Sequence, residues 1–145
     1  MIFNSTGGQH YVTFFYASFD HANRRLTYVN AGHNPPLYLR SNESPQFQRL
    51  TAGGLIAGVF EHSHYDQESL QMQPDDLLFL YTDGLSEAMN SAGEELGETR
   101  IKETLAACVG LTVNEIRDQI VCRVKDWCKG VSLHDDLTFV VLKVS

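Results

Sequence analysis

Two acidic stretches of the sequence carry the residues most able to do chemistry. Asp83 follows the apolar run 77–81, and Gly84 after it lets the backbone turn sharply. Asp135 and Asp136 stand directly before the last apolar run of the chain. Each run predicts a buried strand. If the two strands are neighbours in one sheet, Asp83 and Asp135 converge at one edge, where carboxylate oxygens can hold a hard cation.

Turn formation is the other explanation of these aspartates. Asp-Gly is a common turn dipeptide, and Asp135 with Asp136 can cap a turn. Electrostatics favour the cation site, because acidic groups at the ends of two apolar strands repel unless a cation or buried donors offset them. Glu87, four residues after Asp83, adds a further oxygen or is a solvated surface glutamate.

The histidines leave several roles open. His33, in the sequence AGHNPP, is a ligand, a proton donor or an anchor of its own loop, which a glycine and two prolines constrain. His62 and His64 form an HxH pair, but no further ligands stand at the spacing of a zinc site. His134 adjoins Asp135 and either orients the acidic pair or only lies beside it.

Composition excludes several classes of protein. The chain has 145 residues, of which 43% are hydrophobic and 20% charged, as in a globular domain with a core. A net charge of −7 argues against a nucleic-acid partner. No membrane-spanning apolar stretch or signal peptide is present, so we expect no membrane association. Cys108, Cys122 and Cys128 lack CxxC spacing, which indicates reduced thiols in a cytoplasmic protein.

Two further patterns limit the chemistry. The glycine segment 53–58 lacks the lysine of a phosphate-binding loop, so it predicts close packing rather than nucleotide binding. No serine or cysteine stands in a nucleophile elbow. Hydrolysis by this chain would therefore have to use water activated by a metal.

The order of the elements predicts an α+β domain, 1–145, built on antiparallel sheet with helices on one face. The second helix is marked most clearly, since Thr112 and Glu115 have capping-box spacing and Gly130 stands where the helix would stop. The predicted strands are 11–19, 26–29, 37–39, 47–50, 65–72, 77–81 and 137–142, and the first helix is 100–108.

Several segments, taken together in their order and spacing, resemble the C-terminal part of SpoIIE-type phosphatases. They are YVTFFYASFD, LTYVNAGHNPPLYL, GG-x-x-x-G at 53–58, DDLLFLYTDGLSEA, GEELG and HDDLTFVVLKV. These phosphatases are bacterial metal-dependent protein serine phosphatases of the PPM class, related to type 2C. The resemblance implies an antiparallel β-sandwich flanked by helices in α-β-β-α order, with two Mn²⁺ or Mg²⁺ ions in the complete domain. Metal-activated water would attack phosphoserine or phosphothreonine.

The resemblance also implies a role for each candidate residue. Asp83 matches the aspartate of the family's DG motif, and Asp135 matches the first aspartate of its D-D/N-x-T motif, so both would be catalytic as ligands of the same metal. Asp136, a further candidate metal ligand, occupies a position that is often asparagine in relatives. Gly84 would contribute its backbone beside the metal, and His33 would lie in a substrate-binding loop.

One family motif has no counterpart in these residues. Members carry an upstream GD-x-SGHG segment whose aspartate bridges the two metals, and this sequence contains none. We therefore expect an incomplete domain whose N-terminal portion is missing, with weak binding of a single metal and little or no turnover. The alternative is a non-catalytic, phosphatase-like domain that binds a signalling partner.

The expected partners follow from the same resemblance. The substrate would be a bacterial signalling phosphoprotein such as an anti-anti-sigma-like regulator, and a sensor or receiver domain would precede the phosphatase in the parent protein. Sheet edges left uncovered by the missing strands would favour a homodimer.

Overall fold

The computed structural model describes residues 10–41, 45–133 and 135–145. The chain divides into two compact units. The first extends to Pro36 and includes Arg49–Gln73, and the second combines Leu37–Gln48 with Pro74–Ser145. Each unit is built on one four-stranded sheet.

The described residues form eight strands and three helices, which include the seven predicted strands and two predicted helices in their predicted order, together with a two-residue strand at 53–54 and a one-turn helix at 83–86 that were not predicted. No helix among them is long and apolar enough to cross a membrane. The strands are β1 (Phe14–Asp20), β2 (Arg25–Ala31), β3 (Leu37–Arg40), β4 (Gln46–Arg49), β5 (Gly53–Gly54), β6 (Glu68–Gln71), β7 (Leu77–Tyr81) and β8 (Phe139–Lys143), and the helices are α1 (Asp83–Ser86), α2 (Gly97–Ala107) and α3 (Val113–Trp127).

The first sheet is organised around β2. Aromatic and β-branched residues favour the strands β1 and β2, which correspond to the predicted strands 11–19 and 26–29 and pair as an antiparallel hairpin. Its turn is closed by Asp20, which accepts hydrogen bonds from the backbone N–H and the side chain of Asn23 at 3.1 and 2.7 Å. These bonds, the one from the side chain first, lower the pKa of Asp20. On the other side of β2, β6 pairs antiparallel and β5 pairs parallel over two residues.

The glycine-rich segment packs as predicted. A Cβ at Gly53 would lie 1.8 Å from the carbonyl oxygen of Asn30 in β2, a distance that no side chain tolerates. The glycine therefore allows β5 to approach β2.

The second sheet has the order β4-β3-β7-β8, and β7 pairs antiparallel with both β3 and β8. All residues of β7 are buried except Leu80, which is half-buried. The apolar run 77–81 is thus an interior strand with both faces covered, as predicted.

Helices α2 and α3 pack on the second sheet and form its core. Helix α3 begins with the predicted capping box: the Thr112 hydroxyl accepts the Glu115 N–H at 3.3 Å, and the Glu115 carboxylate accepts the Thr112 N–H at 2.8 Å. Helix α2 begins at Gly97, three residues before the predicted start, because its first turn is polar and carries no apolar periodicity. The buried core includes Leu37, Leu39, Leu77, Phe79, Tyr81, Leu85, Ile101, Leu105, Ile116, Ile120 and Val124.

The architecture is therefore mixed α+β with antiparallel sheets and few helices, as the order of elements predicts.

Candidate active site

Asp83 stands at the point where β7 gives way to α1. Thr82 has the extended conformation of an N-cap residue, and Asp83 opens the helix with its Oδ1 accepting the Gly84 N–H at 3.0 Å. The sharp turn expected at Gly84 is instead one turn of helix, closed by the Glu87 N–H donating to the Asp83 carbonyl at 2.8 Å. The side chain of Asp83 is exposed, whereas Gly84 is buried.

The other acidic stretch reaches the same edge through the β7–β8 pairing. Because the strands are antiparallel, with Tyr81 opposite Phe139, the end of β7 meets the start of β8. Thr82 extends the ladder beyond the strands. Its N–H donates to the Thr138 carbonyl at 3.0 Å, and its hydroxyl accepts the Thr138 N–H at 3.2 Å.

Gly84 lies directly against the backbone of Asp135 and Asp136. A Cβ at Gly84 would be 2.5 Å from the Asp136 carbonyl oxygen and 3.6 Å from the Asp135 carbonyl carbon. No residue larger than glycine fits there without a shift of backbone. The structure thus brings the Asp83-Gly84 motif and the Asp135-Asp136 motif side by side.

The residues at this edge have the chemical type of side chain that a hard divalent cation binds. Asp83, Asp135 and Asp136 are exposed carboxylates, and Mg²⁺ and Mn²⁺ prefer oxygen ligands. The Asp135 Oδ1 accepts the Asp136 N–H at 2.8 Å, just as Asp83 holds the amide that follows it. The number of possible ligands is small. Among residues 10–41, 45–133 and 135–145, no group of three or more His, Cys, Asp or Glu side chains is placed to hold a metal.

His33 belongs to the first unit, in the loop after β2. Its ring is half-exposed, and Nδ1 lies 3.1 Å from the Asn34 carbonyl oxygen. Asn30, which is only 4% exposed, holds the loop by accepting the His33 N–H on its Oδ1 at 2.8 Å. Sequence reasoning missed Asn30, although an asparagine at a strand end before Ala-Gly is a common turn signal.

The remaining candidates lie apart from these contacts. His64 of the HxH pair is exposed, and its Nε2 lies 3.1 Å from the Asp66 carboxylate in a surface contact. Among the described residues, neither His62 nor His64 belongs to a group of side chains that could hold a metal. Glu87 is exposed, in agreement with a solvated glutamate. His134 lies outside the described residues.

Asp76 is a buried residue without a local signal in the sequence. It stands in the segment Pro74-Asp75-Asp76, whose composition is typical of an exposed turn. It is nevertheless fully buried and accepts hydrogen bonds from the Tyr38 hydroxyl and, at 2.9 Å, from the Ser41 N–H. Burial, together with the bond to Asp76, raises the pKa of Tyr38 to about 12. Its partners lie 35 and 38 residues earlier, so no local pattern could identify them.

Solved structures share this fold. The Mn-presoaked phosphatase domain of the cell fate determinant SpoIIE from Bacillus subtilis matches with a TM-score of 0.67 and 20% identity over 91% of this chain and 56% of that one. The SiaA-PP2C domain of Pseudomonas aeruginosa matches with a TM-score of 0.66 and 19% identity over 85% of this chain and 48% of that one. The fold is that of PP2C phosphatase domains.

The model of the Stage II sporulation protein E (SpoIIE) family matches residues 1–145, and the chain belongs to that family. Protein IcfG of Synechocystis sp. is 32% identical over 91% of this chain and 20% of its own length. Phosphoserine phosphatase RsbU of Bacillus subtilis is 29% identical over 92% of this chain and 39% of its own length. The chain thus spans well under half of either relative.

Proposed function

We propose that the chain is part of the catalytic module of a metal-dependent protein serine/threonine phosphatase. Its substrate would be phosphoserine on a bacterial signalling protein, of the anti-anti-sigma-like kind. The observation that carries the proposal is the contact of Gly84 with the Asp135-Asp136 backbone, which places two acidic motifs at one edge of the sheet. Membership of the SpoIIE family and similarity to the phosphoserine phosphatase RsbU support it.

Asp83 and Asp135 would hold Mn²⁺ or Mg²⁺ through their carboxylates, with Asp136 beside them. When bound, the metal supplies activation of water and offsets the charge of the phosphoryl oxygens. The chain's own backbone orients the ligands, because one oxygen of each carboxylate accepts the next amide N–H, at 3.0 Å for Asp83 and 2.8 Å for Asp135. Gly84 keeps the two motifs close, and His33 would contact the phosphorylated substrate.

For the 145 residues by themselves we expect weak binding of one metal and little turnover. The sequence has no GD-x-SGHG segment to supply a bridging carboxylate, and two or three exposed carboxylates leave much of the coordination shell of a divalent cation to water. In the parent protein, which we place in the cytoplasm, a sensor or receiver domain would control the complete two-metal site.

A second function is a phosphatase-like domain that binds a partner without hydrolysis. One observation favours it: the described residues form no group of three metal-binding side chains.

Calorimetric titration of the chain with Mn²⁺ distinguishes the two functions. We expect weak binding that disappears in Asp83→Ala and persists in Glu103→Ala, a matched variant that removes an exposed carboxylate of helix α2. Absence of binding in the unaltered chain would favour the partner-binding domain. Equal loss in both variants would show that the metal responds to net charge and not to a site.

A further inference from the structure

The start of the loop that carries His33 is held by hydrogen bonds of one buried side-chain amide. Asn30, the penultimate residue of β2, accepts the His33 N–H on Oδ1 at 2.8 Å. Its Nδ2 donates to the His33 carbonyl at 3.1 Å and to the Leu50 carbonyl at 3.2 Å. An asparagine amide offers two N–H donors and one carbonyl acceptor. Here both donors and the acceptor are used.

The end of the loop is held by a backbone hydrogen bond. The Leu50 N–H donates to the Pro36 carbonyl at 2.9 Å, and Leu50 is fully buried. Pro35 and Pro36 each restrict φ. A loop fixed at both ends and stiffened by two prolines holds its central side chain with little loss of entropy on binding.

The hydrogen bond of His33 fixes its tautomer. Nδ1 lies 3.1 Å from the Asn34 carbonyl oxygen, which can only accept, so Nδ1 must carry the hydrogen. In the neutral ring Nε2 then bears a lone pair, and in the protonated ring it is a second donor. His33 is half-exposed, and among the described residues no hydrogen bond engages Nε2.

We propose that Asn30 is a positioning residue: it holds His33 so that Nδ1–H donates to the Asn34 carbonyl, and Nε2, after taking a proton from solvent, donates to the phosphate monoester of a phosphoserine substrate. The proposal rests on the proposed phosphatase function and extends it to the substrate loop. A phosphate monoester offers anionic oxygens, the acceptors with which a charged imidazole N–H makes its strongest hydrogen bonds.

The positioning step is tested by the imidazole nitrogen spectrum of the full chain in mildly alkaline solution, in which the two tautomers of a neutral ring give distinct nitrogen resonances. We expect His33 to show Nδ1–H alone. Asn30→Asp keeps the acceptor and loses both donors, so both tautomers should appear. Asn90→Asp is the matched control, because Asn90 is a loop asparagine whose Oδ1 accepts the backbone N–H of Ala92 and Glu94 at 2.9 and 3.0 Å.

Two results would overturn this step. One is an Nε2–H tautomer in the unaltered chain, which can be measured even if Asn30→Asp fails to fold. The other is a folded Asn30→Asp protein whose His33 spectrum is unchanged.

The substrate step is tested in mildly acidic solution, which favours the imidazolium form, by titration with N-acetyl-O-phosphoserine amide, with N-acetylserine amide as the control ligand and no metal present. We expect the phosphorylated compound alone to shift the Nε2 resonance of His33. If Asn30→Asp leaves His33 correctly placed about a tenth of the time, its affinity falls about tenfold.

An unshifted Nε2 resonance, with the Nδ1–H tautomer in place, would overturn the substrate role. Failure of the proposed function would give a different result. If the chain binds no Mn²⁺ but the phosphoserine compound still shifts the Nε2 resonance, the role of His33 stands and the metal site is refuted.

Discussion

Replacing Gly84 by alanine tests whether the two acidic motifs are held together by close backbone contact. The added Cβ would lie 2.5 Å from the Asp136 carbonyl oxygen, and because ordinary contact begins at 3.4 Å, that oxygen must withdraw by about 0.9 Å. The oxygen belongs to the backbone just before β8, where Thr82 and Thr138 are joined by hydrogen bonds. The withdrawal therefore strains the contact that aligns Asp83 with Asp135.

The expected free-energy change has two parts of opposite sign. Overpacking against backbone costs about 3 kcal/mol at the upper end of its range. Alanine in place of glycine within α1 recovers about 1 kcal/mol of helix propensity. We therefore expect Gly84→Ala to lower the free energy of unfolding by about 2 kcal/mol, measured by urea denaturation with an unchanged slope.

Gly110→Ala is the control for loss of stability alone. Gly110 has φ +88° with no atom within 4 Å of an added Cβ, so alanine there costs about 1–2 kcal/mol through its left-handed backbone without touching the site. Mn²⁺ binding should be lost in Gly84→Ala and kept in Gly110→Ala. A Gly84→Ala protein as stable as the unaltered chain, with its Mn²⁺ affinity intact, would refute the reasoning.

Two further predictions concern the second unit. Hydrogen bonds from the backbone and then the side chain of Thr112 hold the pKa of Glu115 below its ordinary value, so its stabilising effect is present above the unfolded pKa and is lost as the pH falls through the folded pKa. The stability difference between the unaltered chain and Glu115→Gln should therefore shrink in acid in urea denaturation, and a constant difference would contradict the capping role. Burial raises the pKa of the Cys108 and Cys128 thiols, whereas Cys122 is exposed, so a thiol reagent should label one cysteine quickly and the other two only on unfolding. Three equally fast thiols would show that the helical core opens readily.

Elements with local signals were predictable from the sequence. The run 77–81 consists of apolar residues and ends at a polar tripeptide, and β7 has those bounds. The capping box of Thr112 and Glu115 requires only a spacing of three residues, and α3 begins there. The pairing of β7 with β8, which joins the two acidic motifs, was a hypothesis from their apolar character, and the observed register confirms it.

Features that depend on distant partners were not predictable. Asn30 carries a local turn signal that accounts for its bonds to His33, but its burial and its bonds to the backbone of Leu50 and Ala52, twenty or more residues later, have no such signal. Asp76 followed a turn pattern, but the Tyr38 hydroxyl from a neighbouring strand makes it a buried acceptor. Single-sequence patterns describe periodicity along the chain, whereas these contacts depend on which segments the sheets bring together.

The exposure of the carboxylates has a consequence for how the site can be studied. Asp83 and Asp135 project from an edge that backbone bonds of Thr82 and Thr138 already hold, so the fold does not need their side chains for packing. Each substitution of these aspartates removes one hydrogen bond to the next amide N–H and no packing, so we expect it to change the free energy of unfolding by about 1 kcal/mol or less. A loss of metal binding in Asp83→Ala would therefore report on ligation, whereas the same loss in Gly84→Ala would report on the spacing of the two motifs.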